Sequence, residues 1–182
     1  EITHWRNGVY GEQVVSAMVA ESFDTTEPLK LIETGLKYIP KDCEYANTVN
    51  WMVKEWKAKR NWRDIRAELI KKYPAPCNPV YADAGIITLA TLYGEGNFEN
   101  TMTIAAYCGS DTDCNVATVC ALIGSGNGTC IIAKKWSDPL ADQFRCFVTG
   151  HENWSMKELA KRIAVQHKAI MKYHGSGNKF KQ

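Results

Sequence analysis

The sequence predicts an all-α protein. Apolar residues recur every three or four positions through most of the chain, and capping residues, prolines and glycines punctuate the periodic segments. No β-hairpin signal, internal repeat or low-complexity tract breaks that pattern.

A first helix is expected over 8–23, with Val15, Met18 and Val19 at core spacing. Asp24-Thr25-Thr26 offers caps for a second over 27–39, where Leu29, Ile32, Leu36 and Ile39 form a stripe and Pro40 stops the helix. A third covers about 43 to 59 on Tyr45, Val49, Met52, Val53 and Trp56. Asn61 caps a fourth, which ends before Pro74-Ala75-Pro76. Two shorter helices follow, around 82–93 and 98–108. Gly94 and Gly109 stand where a left-handed C-terminal cap is wanted.

The next helix, about 112–124, carries Val116, Val119, Cys120 and Ile123 on one face and small Ala117, Ala121 and Gly124 on another. A helix apolar or small on nearly every side belongs in the middle of a bundle. From 125 to 154 the pattern becomes irregular, with a Trp136-Ser137-Asp138-Pro139 turn. Ser155-Met156-Lys157-Glu158 is a capping box that opens a final helix over about 155–172, with Leu159, Ile163 and Ile170 expected inward.

The 182 residues suit one domain or a large piece of one, with 45% hydrophobic and 23% charged residues. A formal net charge of +2 argues against the electrostatic footprint of a nucleic-acid binder. No apolar run approaches the length of a membrane span, and the first residues show no signal stretch. The seven cysteines (43, 77, 108, 114, 120, 130 and 146) include no Cys-x-x-Cys pair, and several lie in apolar runs. They read as small buried hydrophobes in a reducing compartment, which makes a cytoplasmic location the expectation.

The strongest chemical feature is Gly109-Ser110-Asp111-Thr112-Asp113-Cys114-Asn115, set between two apolar helices. Two positions along a helix rotate roughly 200°, so aspartates at that spacing share a face only where the first is not yet helical. Two readings are open. Crowded carboxylates suit a hard divalent ion with oxygen ligands, such as magnesium. Alternatively Asp111 is an N-cap and Asp113 a favourable first-turn anion. Other constellations are weaker. Gly124–Gly128 lacks the lysine of a phosphate loop. Lys54, Lys57, Lys59, Arg60, Arg63 and Arg66 read as a solvated helix face, His167 as surface.

The runs Ala90–Thr101, Ala105–Thr118 and Ala121–Gly124, with Asp111-Thr112-Asp113 opening a helix, resemble the ADP-ribosylglycohydrolase family. Thr3-His4-Trp5-Arg6-Asn7-Gly8-Val9-Tyr10-Gly11 is similar to that family's central segment before a long helix. The resemblance implies an orthogonal multi-helix bundle with two magnesium ions in a central cleft. It implies hydrolysis of the bond joining ADP-ribose to a protein side chain or a related acceptor. On that basis Asp111 and Asp113 are metal ligands, and His4, Gly8, Ser110 and Tyr81 line the ADP-ribose pocket. Cys114 stands where the family commonly has a hydroxyl ligand. Its thiol is a poor partner for magnesium, so either the second site is weaker, or backbone and water oxygens fill the gap, or the preference moves toward manganese.

The resemblance further implies that residues 1–182 are the C-terminal portion of one such domain. An N-terminal half with more metal ligands and the acidic catalytic residues would then lie outside them. Expected partners are an ADP-ribosylated protein or a small molecule containing ADP-ribose, with no nucleic acid and no membrane. The competing reading is a non-catalytic relative that keeps the fold and binds ADP-ribose or serves a structural role.

Overall fold

The computed structural model describes residues 4–74 and 79–174, which fall into two compact units divided after Ile132. Thr3, Ala75, Pro76 and Cys77 lie outside the described residues.

The first unit is built from α1 (Asn7–Ser22), α2 (Pro28–Leu36), α3 (Glu44–Lys57), α4 (Trp62–Lys72), α5 (Pro79–Tyr93), α6 (Phe98–Cys108) and α7 (Thr112–Asn127). α3, α4 and α6 start at side chains that cap them, whereas α1, α2 and α7 carry no side-chain cap bond, so the caps expected of Asp24-Thr25-Thr26 are not used. Asn61 Oδ1 accepts from Arg63 N at 2.9 Å to begin α4, and Asn97 Oδ1 accepts from Asn100 N at 2.9 Å to begin α6. Cys43 caps α3 through its sulfur, which accepts from Ala46 N at 3.4 Å. Replacing Asn61 with Ala is expected to cost about 1 kcal/mol, read as a lowered denaturant midpoint with an unchanged slope.

α2 and α5 depart from their expected boundaries by three residues each. α2 ends at Leu36, three residues early, because the chain tightens into turns in which Tyr38 N bonds Gly35 O. α5 starts at Pro79, where a missing N–H costs nothing in the first turn.

The core forms two clusters joined by α5. Met52, Ile65, Leu69, Ile86, Leu89 and Val119 make one, and Val14, Met18, Leu31, Ile32, Val49 and Leu122 centre the other. Every residue from Ala84 to Leu92 is buried. Thr88 and Thr91 tolerate this because their hydroxyls donate to Ala84 O and Ile87 O, each at 2.7 Å. The helix enclosed on all sides is therefore α5, not α7 as the small-residue pattern suggested. α7 buries Asn115, Val119, Leu122 and Ile123 but exposes Ala117 and Ala121. Small side chains permit close packing without compelling it.

Gly94 is not a left-handed cap. Glu95 (φ 52°) and Gly96 (φ 74°) take that conformation, while Gly94 provides space. A Cβ there would lie 1.9 Å from Thr101 Oγ1 and 2.8 Å from Thr101 Cα on α6. α7 likewise runs past Gly124 to Asn127, and Gly128 (φ 73°) ends it.

The second unit holds a short helix α8 (Lys134–Ser137), a single turn of 3-10 helix at Asp138–Leu140, strands β1 (Gln143–Arg145) and β2 (Asn153–Ser155), and α9 (Met156–His174). The strands pair antiparallel with Phe144 opposite Trp154, which corrects the expectation of no hairpin and of an irregular segment to 154. Three-residue strands joined by seven residues offer too few alternations to register as a pattern. Ser155 caps α9 as expected, its Oγ accepting from Glu158 N at 3.1 Å. Asp142 adds a second cap by accepting from Lys157 N at 3.1 Å. The Ser155 hydroxyl, then that amide, hold the Asp142 carboxyl below its ordinary range. Ile163 and Ile170, expected inward, are 60% and 53% exposed, because the hairpin of this unit adjoins only the start of α9. No helix of the described residues is long and apolar enough to cross a membrane.

Candidate metal centre

The α6–α7 junction reverses the chain within three residues. α6 ends at Cys108, Gly109 (φ 74°) and Ser110 (φ 62°) both take positive φ, and α7 begins at Thr112. Two such residues in succession, one of them not glycine, need support from outside the turn. Arg66 of α4 supplies it, donating Nε–H to the Cys108 carbonyl at 2.9 Å. That carbonyl closes a helix C-terminus, where a cation and a donor are both favoured.

The second support lies beyond the turn. Asn115, 2% exposed, donates Nδ2–H to Asp83 Oδ1 on α5 at 2.9 Å. Burial pushes the Asp83 carboxyl above its ordinary value. The Asn115 bond opposes this, the Asp111 charge raises it again, and a Ser110 hydrogen bond lowers it. Asn115→Ala leaves Asp83 without that donor. It is expected to destabilise the fold by about 1–3 kcal/mol, measured by chemical denaturation.

Asp111 occupies the N-cap position of α7, yet its side chain makes no cap hydrogen bond. Its carboxylate instead gathers with Asp113 and Cys114. One ligand atom from each of the three lies within 4.8 Å of the others, and all three residues are exposed. The hydrogen bond to Asp111, then the charge of Asp111, hold the Cys114 thiol above its ordinary range, with Asp113 and Asp83 adding to the effect. Two carboxylates and a thiol at one helix start, with the charge of Asp83 nearby, favour a cation at this spot.

His4, Gly8 and Tyr81 sit around the starts of α1 and α5. His4 Nδ1 lies 2.9 Å from Glu12 Oε1. A Cβ on Gly8 would come within 3.3 Å of His4 Cβ and Cδ2, so the space that glycine leaves is occupied by the histidine. The Tyr81 hydroxyl accepts from Asn7 Nδ2 at 3.0 Å, while Asn7 Oδ1 accepts from Tyr45 N at 3.1 Å. Burial, then the charge of Asp83, raises the Tyr45 hydroxyl far above its ordinary value. Tyr81 and Asp83 stand two residues apart on α5, which thus serves both the histidine segment and the aspartate turn.

Sequence reasoning placed Arg66 on a solvated face and passed over Asp83 and Asn115 as site residues. Asp83 left a signal, being the one charged residue of α5. Asn115 left another, a polar side chain four residues before Val119 on the buried stripe. Arg66 left none. Of the basic cluster around it, Arg60 pairs with Glu55 and Glu68 rather than standing free in solvent.

A protein-family model described as ADP-ribosylglycohydrolase matches residues 1–170. Comparison with curated proteins and with solved structures found no significant match.

Proposed function

The chain belongs to the ADP-ribosylglycohydrolase family, and from that premise we propose that it acts in the cation-dependent hydrolysis of the glycosidic bond between ADP-ribose and a protein side chain or related acceptor. The observation that carries this reading is the state of Asp111. It stands at a helix start without capping it and shares a cluster with Asp113 and Cys114. A carboxylate that served only as a cap would spend its oxygens on the amides of the first turn.

The residues fit a divalent ion. Asp111 and Asp113 offer exposed carboxylate oxygens of the kind that magnesium or manganese takes. Waters and ribose hydroxyls would complete the shell of such an ion. Such an ion supplies Lewis-acid polarisation and a water of lowered pKa near the anomeric carbon. The protein does the rest by holding still. Arg66 and the Asp83–Asn115 pair fix the turn that presents the aspartates, as partners behind metal ligands generally do. His4 and Tyr81 form pocket wall for ADP-ribose, Ser110 meets the sugar from the turn, and Gly8 seats His4 rather than touching the ligand itself.

One observation favours the second reading, a non-catalytic relative. Cys114 stands in the cluster beside Asp111 and Asp113 and brings sulfur, a poor partner for magnesium, to a hard-cation site. Release of ADP-ribose from ADP-ribosylated peptides separates the two. Release that stops with a chelator and resumes with magnesium supports the hydrolase. Cation-dependent ADP-ribose binding without release supports the relative, and absence of both overturns the two together.

A further inference from the structure

The surface where α4 meets the end of α6 is basic and aromatic. Trp62 and Arg63 open α4, Arg66 lies one turn further on, and Tyr107 stands in the last turn of α6. Arg63 Cζ sits 4.2 Å from the centre of the Trp62 ring and 5.3 Å from that of Tyr107, and the two rings meet edge to face at 5.8 Å. Tyr107 is 68% exposed, and Arg63 is exposed beside it. We propose that Trp62, Arg63, Arg66 and Tyr107 form a docking surface for an acidic polypeptide segment, the stretch of acceptor chain that flanks the ADP-ribosylated residue. The inference rests on the proposed function for what that polypeptide is, and adds the class of acceptor.

Charge complementarity supplies the first argument. Nearby, Arg60 is held by Glu55 and Glu68, and Lys72 Nζ lies 3.6 Å from Glu44, whereas among the described residues neither Arg63 nor Arg66 pairs with a carboxylate. Stacking occupies the face of the Arg63 guanidinium and leaves its edge N–H groups for a two-point bond to a carboxylate. Continuity with the candidate site supplies the second. Arg66 donates to the Cys108 carbonyl, and its Nη2 lies 3.5 Å from where a Cβ of Gly109 would stand, so the basic surface runs into the turn that carries Asp111. A polypeptide whose modified residue enters that site must cross the adjoining surface. Trp, Tyr and Arg are also the residues that dominate binding energy at protein interfaces. A nucleic acid fits less well, because its unbroken run of phosphates would pass the exposed Asp111 and Asp113 on a chain of net charge only +2. A peptide places its carboxylates singly, on the arginines.

The test is fluorescence anisotropy of the 182-residue chain with a labelled peptide of alternating glutamate and serine, and with its glutamine counterpart. The glutamate peptide binds more tightly, and high salt removes the difference. Arg63→Gln and Tyr107→Ala each weaken it by about fivefold to twentyfold, with unchanged melting temperature. Lys30→Gln removes the same charge from an exposed position on α2 and stays within about twofold of the wild type. Equal binding of the two peptides, or an equal loss in Lys30→Gln, overturns the inference. So does a single-stranded oligothymidylate that binds through Arg63 more tightly than the glutamate peptide. Neither peptide carries ADP-ribose, so this result is independent of hydrolysis. Release from ADP-ribosylated peptides then separates the two readings. Acidic flanks lower KM at constant kcat, and Arg63→Gln erases the difference. Release that ignores the flanks overturns the inference and leaves the proposed function standing. No release from either peptide, with Arg63-dependent binding intact, overturns the function and keeps the acidic-peptide surface.

Discussion

On the proposed function, Asp111→Ala and Asp113→Ala are each expected to abolish magnesium-dependent binding of ADP-ribose, with an affinity loss of at least about a hundredfold, or roughly 2.7 kcal/mol. Calorimetric titration with and without magnesium measures it. The size follows from the donor set. Each substitution removes one of two carboxylates from a three-donor cluster, and the remaining oxygen and thiol cannot hold a hard ion against its water shell. Stability decides what the loss means. A capping aspartate replaced by alanine costs about 1 kcal/mol, as Asn61 is expected to show. Asp111 makes no cap bond and crowds other acidic groups, so its removal leaves the melting temperature unchanged or slightly raised in the absence of metal. Lost binding with intact stability establishes a cation site. Intact binding with lost stability returns Asp111 to the cap.

Gly94→Ala lowers stability by about 3 kcal/mol or more, a drop in melting temperature of roughly 6–12 °C for a chain of this size. The added Cβ would meet Thr101 Oγ1 at 1.9 Å, Ala90 O at 2.7 Å and Thr101 Cα at 2.8 Å. A flexible side chain could yield, but two of these atoms are backbone, Ala90 O at the end of α5 and Thr101 Cα on α6, so backbone must shift and α5 and α6 must move apart there. The double variant Gly94→Ala with Thr101→Ala therefore recovers little. Gly96→Asn supplies the contrast, since Gly96 has positive φ but open space around its Cβ position. Asparagine adopts that conformation at small cost, and the melting temperature falls by no more than a few degrees. Thermal denaturation of the three variants checks the ordering. If Gly96→Asn proved the more damaging, conformational freedom rather than space would be the demand at this loop.

The helices and the aspartate motif were legible because each is a short-range property. A stripe such as Leu29, Ile32 and Leu36 shows its period within two turns, and Asn61 announces α4 by standing just before it. Gly109-Ser110-Asp111-Thr112-Asp113 is likewise contiguous, and its resemblance to a known family agrees with the family match. The hairpin of the second unit was missed for the complementary reason. Its pairing of Gln143–Arg145 with Asn153–Ser155 is too short to leave a period of its own.

By itself, then, the sequence determined an all-α chain, most helix boundaries to within a few residues, and the triplet of donors at the start of α7. Only the tertiary structure decided which helix would be enclosed. α5 and α7 are both poor in charge, and the choice between them depends on what packs against each from distant parts of the chain. It also decided the supports of the site. Arg66 reaches Cys108 across 42 residues, and Asn115 reaches Asp83 across 32. Hydrogen bonds at that separation leave no local trace, because the chain between the partners is free to vary as long as it returns them to the same place. For the same reason the sequence could not show that Asp111, at the N-cap position of α7, makes no cap bond.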